Sequence, residues 1–189
     1  MRETIKRPTR SSKANLLRRA GSTLQRALSL EGLEAETRTE GQLALAQVSL
    51  LLGENEIAQR QAIQAMEDAR RYEQTWLLAC AQRLMGSILT TMGQQEQADK
   101  YFEQALETFH SCGMRLEWAR TLQSYGVVLL EQHSTGESSY EQGLKYLRNA
   151  NQAFRECNAI LDLQVIERIL GRYTIPVPTP TRKSARQTR

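Results

Sequence analysis

The sequence predicts an all-α fold, a solenoid of antiparallel helix pairs with about eight helices. Three observations predict it. All four prolines (Pro8, Pro176, Pro178 and Pro180) lie outside residues 9–175, so the interior carries no residue that breaks a helix. That interior is rich in Ala, Leu, Gln, Glu and Arg, and Val, Ile and Thr never cluster into alternating runs. One unit also recurs, first at a shift of 40 and then, after a five-residue insertion, at 45.

Residues 12–30 open the array. Ala20, Leu24 and Ala27 repeat a small–large–small spacing of four then three, so this segment reads as a second-type helix, B, without its A partner. Three units follow, about 34–72, 75–112 and 115–157. Their A helices are predicted over 34–52, 75–92 and 115–132, and their B helices over 55–72, 95–111 and 139–156. Small residues recur where paired helices approach: Ala46, Gly86 and Gly126 in A, and Ala58, Ala98 and Gly143 in B. A larger side chain there would push apart axes that lie only ~8–10 Å from each other. Leu45, Met85, Phe102, Leu106, Leu129 and Leu147 fill the space between. Gly53 and Gly93 supply left-handed caps after the first two A helices. Ile160, Leu163, Ile166 and Leu170 give an apolar stripe over 159–172, a closing A-type helix.

The formal net charge of +4 conceals a division. Residues 1–20 carry seven Lys/Arg and one acid; residues 172–189 carry five and none. The body between them holds a net −7. The basic whole-chain balance is therefore no basic surface on the fold. The expected organisation is a basic arm (1–11), the repeat domain (12–172) and a Pro-rich basic, disordered tail (173–189). No apolar run approaches the ~18–20 residues of a membrane span. The Arg-rich, nearly acid-free N-terminus reads as a solvated arm; a transit peptide is the lesser alternative. Cys80, Cys112 and Cys157 stand apart without a CxxC pair, which favours a reducing, cytoplasmic setting.

These residues resemble tetratricopeptide repeats. Met85-Gly86, Leu89, Gly93, Ala98, Phe102 and Ala105 carry that family's pattern of small and large positions. Tyr125-Gly126, Leu129, Gly143, Leu147 and Ala150 match apart from the insertion, and Leu45-Ala46, Gly53, Ala58, Ala62 and Ala65 match more weakly. The resemblance covers about residues 12–172. The period of 40 exceeds the family's common ~34, no unit has the proline that usually ends helix B, and Gln82 and Leu122 stand where an early aromatic is usual. These departures resemble the extended variant of bacterial signalling and regulatory proteins. The resemblance implies a right-handed superhelix whose concave groove is lined by A helices. It places Leu43, Ala44, Gln47, Arg83, Ser87, Thr90, Thr91, Arg120, Gln123, Ser124 and Val127 on that groove. Members that bind chaperone tails use a clamp of Lys, Arg and two Asn; here Leu43, Gln47 and Ser124 stand at such sites and only Arg83 and Arg120 keep charge, so that function is not implied.

No enzyme is read from this chain. His110 and His133 have no Cys or carboxylate constellation, and no metal-binding, phosphate-cradling or nucleophile-elbow motif occurs; no catalytic, metal or cofactor site is expected. Cys112 and Cys157 occupy equivalent places one repeat apart, beyond the ~7 Å Cα limit of a disulfide, and read with Cys80 as small core-edge residues. Trp76 and Trp118, near the starts of A helices, read as packing residues, with an aromatic ligand platform as the alternative. The predicted function is a scaffold or adaptor that holds a partner's peptide or helix in the groove through Gln47, Arg83, Ser87, Thr90, Arg120, Gln123 and Ser124. Arg83 and Arg120 either meet acidic groups of that partner or pair inside the fold with Glu40, Glu117 or Glu131. The alternative is a regulatory subunit docking on nucleic acid or another acidic surface through its tails, with Arg182, Lys183, Arg186 and Arg189 at the C-terminal end. The array edge at the unpartnered first helix offers a place for self-association.

Overall fold

Each predicted helix forms where its apolar stripe finds a neighbour. The computed structural model describes residues 10–131 and 137–173. Among these residues the chain is eight helices and no strand: α1 (Arg10–Leu28), α2 (Ala35–Leu52), α3 (Asn55–Arg71), α4 (Thr75–Thr91), α5 (Gln95–Ser111), α6 (Arg115–Glu131), α7 (Glu137–Glu156) and α8 (Ile160–Tyr173). Every helix packs against the next, giving a solenoid. The A helices α2, α4, α6 and α8 also touch one another in sequence, whereas no contact joins one B helix (α1, α3, α5, α7) to another. The A helices therefore form the crowded inner side.

The turns explain why the helices stop. After α2 and α4, Gly53 and Gly93 take φ of 80° and 75°, a left-handed conformation that glycine adopts freely. The amide of Glu54 reaches the Ser49 carbonyl at 2.9 Å and that of Gln94 reaches Leu89 at 2.9 Å, closing Schellman-type ends. After the B helices α3, α5 and α7 the left-handed residue is Glu73, Gly113 or Asn158. These lie at one repeated position, 40 and then 45 residues apart.

The small residues bring the pairs together. Ala46 and Ala58 are fully buried, as are Ala98 and Phe102. A Cβ on Gly86 would sit 2.9 Å from the Phe102 ring. At Gly126 it would meet the Gly143 carbonyl at 3.0 Å, and at Gly143 the Gly126 carbonyl at 2.9 Å. Phe102 stacks on Tyr125 with ring centroids 4.8 Å apart, and Tyr125 meets Tyr146 at 5.4 Å. This aromatic ladder ties α5, α6 and α7 into one core.

The first helix departs from the expected register. Ala20 and Ala27 were the expected inward residues, but both are exposed. Gly21 is the buried residue instead, against Val48 and Leu45, and Leu17, Leu24 and Leu28 are half-buried. The physical reason is spacing: 17, 21, 24 and 28 form the more apolar stripe, and Leu28 fits over Gly41 of α2.

Two glycines at matching positions should respond oppositely to the same change. Gly86→Ala forces a methyl into the buried Phe102 ring and should cost about 1–3 kcal/mol. Gly171, two repeats on, has nothing within 4 Å of its Cβ site, so Gly171→Ala should gain about 0.5–1 kcal/mol from helix propensity. Urea denaturation of the two variants at low protein concentration measures both signs.

Candidate functional site: the groove of the A helices

Helical spacing sets this face. Residues 40, 44 and 47 of α2 and 76, 80, 83 and 87 of α4 recur every three or four positions, so each set shares one side of its helix. Together with Leu43, Leu77, Leu84 and Ser124 they line an open groove of about 350 Å³. Of the residues predicted for the groove, Gln47, Arg83, Ser87 and Ser124 come together there, with Leu43 and Ala44. Thr90, Arg120 and Gln123 do not line it. Thr90 is turned back, its hydroxyl donating to the Gly86 carbonyl at 2.9 Å. Gln123 is half-buried, and its Oε1 is buried without a hydrogen-bond partner. Ser87 and Ser124 donate to the carbonyls of Arg83 and Arg120 on their own helices.

An ionic chain crosses the gaps between the A helices. Arg83 donates from Nη1 to Glu117 Oε2 at 2.7 Å, and Arg120 donates to Glu117 Oε1 at 2.7 Å. Arg120 also grips Asp162 of α8 with two bonds of 3.0 Å, the bidentate geometry that suits a carboxylate. The Arg83 guanidinium carbon further lies 5.6 Å from the Phe109 ring centroid, a cation–π arrangement. Of the two roles the sequence left open for these arginines, the structure therefore displays pairing inside the fold. Asp162 escaped the sequence reading. Its signal was present: Glu117 and Asp162 stand 45 residues apart, at one repeated position. Burial pushes the Glu117 carboxyl up, but Arg83 and Arg120 outweigh it and hold the group below the usual carboxylate range.

Trp76 and Cys80 were also missed as groove residues. Trp76 lines the groove beside Cys80, while Trp118 packs against the core of α6, α7 and α8, as expected of a packing residue. Burial raises the Cys80 thiol to about 11, with the Arg83 charge opposing. All three cysteines are free. Cys112 is exposed rather than at the core edge, because it caps the end of α5, where the chain turns toward solvent. His110 is exposed at the end of α5, its ring 6.4 Å from that of Trp118. Among the described residues no group of three His, Cys, Asp or Glu is placed to hold a metal ion, and no helix is long and apolar enough to cross a membrane. His133 and the tail residues Arg182, Lys183, Arg186 and Arg189 lie outside the described residues.

No family model matches the chain. No curated protein matches it either. Among solved structures it is similar to the crystal structure of BtubC (BKLC) from P. vanneervenii, with a TM-score of 0.57 and 17% identity over 95% of this chain and 85% of that one. At that identity the likeness shows the fold alone.

Two outcomes follow from these geometries. Glu117→Gln leaves two partly buried guanidinium groups without their shared carboxylate and should cost about 1–3 kcal/mol at pH 7. Because the folded carboxyl titrates below its ordinary range, its stabilisation is present at neutral pH and is lost as pH falls through the folded value. The gap between wild type and variant in chemical denaturation should therefore close toward pH 3. Cys80, with its raised thiol pKa, should also alkylate far more slowly at pH 7.5 than exposed Cys112, as peptide mass spectrometry after timed iodoacetamide treatment would record.

Proposed function

We propose that this chain is a non-enzymatic scaffold of the tetratricopeptide type that binds a segment of a partner protein in the groove between α2, α4 and α6. The observation that carries the reading is the lining of that groove. Half-buried Trp76 and Leu43 offer an apolar wall, backed by the buried Leu77 and Leu84, and Gln47 and Ser87 offer polar groups beside it. Such a mixture suits an extended or helical segment that anchors one large apolar side chain and fixes its backbone with amide bonds. The charge of Arg83 is already matched by Glu117, so an acidic partner has less support than an apolar anchor. A reducing, cytoplasmic setting belongs to the same reading, in keeping with the free cysteines.

The test avoids the arginines, whose loss would disturb the fold. Peptides selected on the wild-type chain from a displayed library should bind Trp76→Ala at least about thirtyfold more weakly, the loss of an interface anchor worth ~2 kcal/mol. In a Trp118→Phe background they should shift the emission of Trp76. Equal affinity for wild type, Trp76→Ala and Gln47→Arg would remove the groove from consideration.

A further inference from the structure

The groove opens where the ionic chain stops. Arg83 reaches Glu117 across the gap from α4 to α6, and Arg120 reaches Asp162 across the gap from α6 to α8. Both carboxylates stand at one repeated position, 45 residues apart. On α4 that position, 40 residues before Glu117, holds the buried Leu77. On α2 the position of Arg83 holds Leu43. The gap between α2 and α4 thus has two leucines where the next gap has an ion pair, and both leucines line the groove.

One charge is left on this lining. Shifts of 40 put Glu40, Cys80 and Arg120 at one position. Where α6 holds out a guanidinium to the next A helix, α2 holds out a carboxylate, and Leu77 gives it no base to meet. Glu40 is exposed and forms no ion pair among the described residues. Glu36, one turn earlier on the same side of α2, is exposed and unpaired in the same way. Arg38 lies two residues from each and does not share their face. Arg83, the base in the lining, is held by Glu117 at 2.7 Å and lies against the Phe109 ring. The uncompensated charge of the groove is therefore negative.

The surroundings raise the value of that charge. Half-buried Trp76, Leu43 and Cys80 line the same groove. An ion pair beside such a wall is screened less than one on open surface. The methylene stem of a lysine or arginine also covers apolar surface while its head stays in contact with the carboxylate.

We propose that the partner segment held in this groove presents a lysine or arginine to Glu40, beside the large apolar side chain that rests on Trp76 and Leu43. The proposal rests on the groove reading above and adds the charge of the ligand. The bound cation does for the gap between α2 and α4 what Arg83 and Arg120 do for the next two gaps, so the segment continues the ionic chain.

Random displayed peptides of about twelve residues, long enough to cross the groove extended, are the probes. Those selected on the full wild-type chain should carry Lys or Arg near a large apolar residue. By fluorescence anisotropy, Glu40→Gln should weaken them about fivefold and Glu40→Lys about twentyfold. The site is exposed, and circular dichroism checks that each variant keeps its helix content. Changing the peptide's Lys or Arg to Gln should weaken binding to wild type and leave binding to Glu40→Gln unchanged, the signature of a direct pair. Changing it to Glu should restore binding to Glu40→Lys. Peptides that lose affinity for Trp76→Ala but not for Glu40→Lys would overturn this proposal and leave the groove reading standing. Peptides indifferent to both changes, or a library without binders, would overturn the groove reading and this proposal with it. Tighter peptide binding after Arg182, Lys183, Arg186 and Arg189 are all changed to Gln would assign the groove to this chain's own tail. A mass that rises with concentration until peptide is added would assign it to a second copy. Either result overturns the proposal of a separate partner.

Discussion

The distance between paired helices governs this molecule. Where α6 crosses α7, glycine faces glycine, and each Cβ site lies about 3 Å from the other's carbonyl oxygen. No side chain separates the two backbones, so packing there rests on backbone atoms and on the flanking Leu130 and Leu147, both fully buried. Where α4 crosses α5, the glycine is on one side only, and the space is taken by the Phe102 ring. Two different partitions of volume thus produce the same close crossing, in line with the high density of protein interiors. The same closeness brings successive A helices into contact while the B helices stay apart, and that asymmetry creates an inner face with a groove.

The inner face is then fixed by charge. Arg83, Glu117, Arg120 and Asp162 run across three A helices. A single half-buried ion pair adds little net stability, since desolvation offsets attraction. Here one carboxylate receives two guanidinium groups and one guanidinium holds two carboxylates, so each group keeps its hydrogen bonds filled. The geometry is demanding, which favours one relative placement of α4, α6 and α8 over neighbouring ones. A groove with walls set in this way needs little ordering when a segment binds, and ordering is a principal cost of association.

Much of this was legible in the sequence, and the failures have definite causes. Helix boundaries followed from proline placement and from the 40-residue recurrence of Gly53/Gly93 and Gly86/Gly126, because small residues mark crossings in any repeat array. The facing of α1 was misread. Both Ala20/Leu24/Ala27 and Leu17/Gly21/Leu24/Leu28 satisfy helical spacing, and only contact with Gly41 and Val48 of α2 decides between them. Arg83 and Arg120 were placed on the inner side of their helices, and Glu117, three residues before Arg120, was among the partners named for them. The carboxylates that reach across helices lie 34 or 42 residues away, a separation that becomes meaningful only once the repeat period is applied to acids as well as to glycines. Trp76 and Trp118 both stand near the start of an A helix but are 42 residues apart, two off the repeat, so they fall on different sides of their helices. Trp118 packs beside Ala79, Ala105 and Phe109 and meets the His110 ring, whereas Trp76 lines the groove toward α2.

The ends of the array bring these threads together. A helical solenoid exposes apolar surface wherever stacking stops, and terminal units usually answer with a polar outer face. α8 does so at its crossing face: exposed Gln164 and Glu167 stand where α4 has Ala79 and Gln82 and α6 has Ala119 and Leu122. It also retains a glycine, which weakens an exposed helix unless something must come close. The last A helix thus keeps the small residue of the array at its crossing position, while its neighbours on that face, Gln164, Glu167 and Arg168, are polar and exposed. The stack ends by a change of side chains and not by a change of spacing, because water and not another helix must be satisfied there.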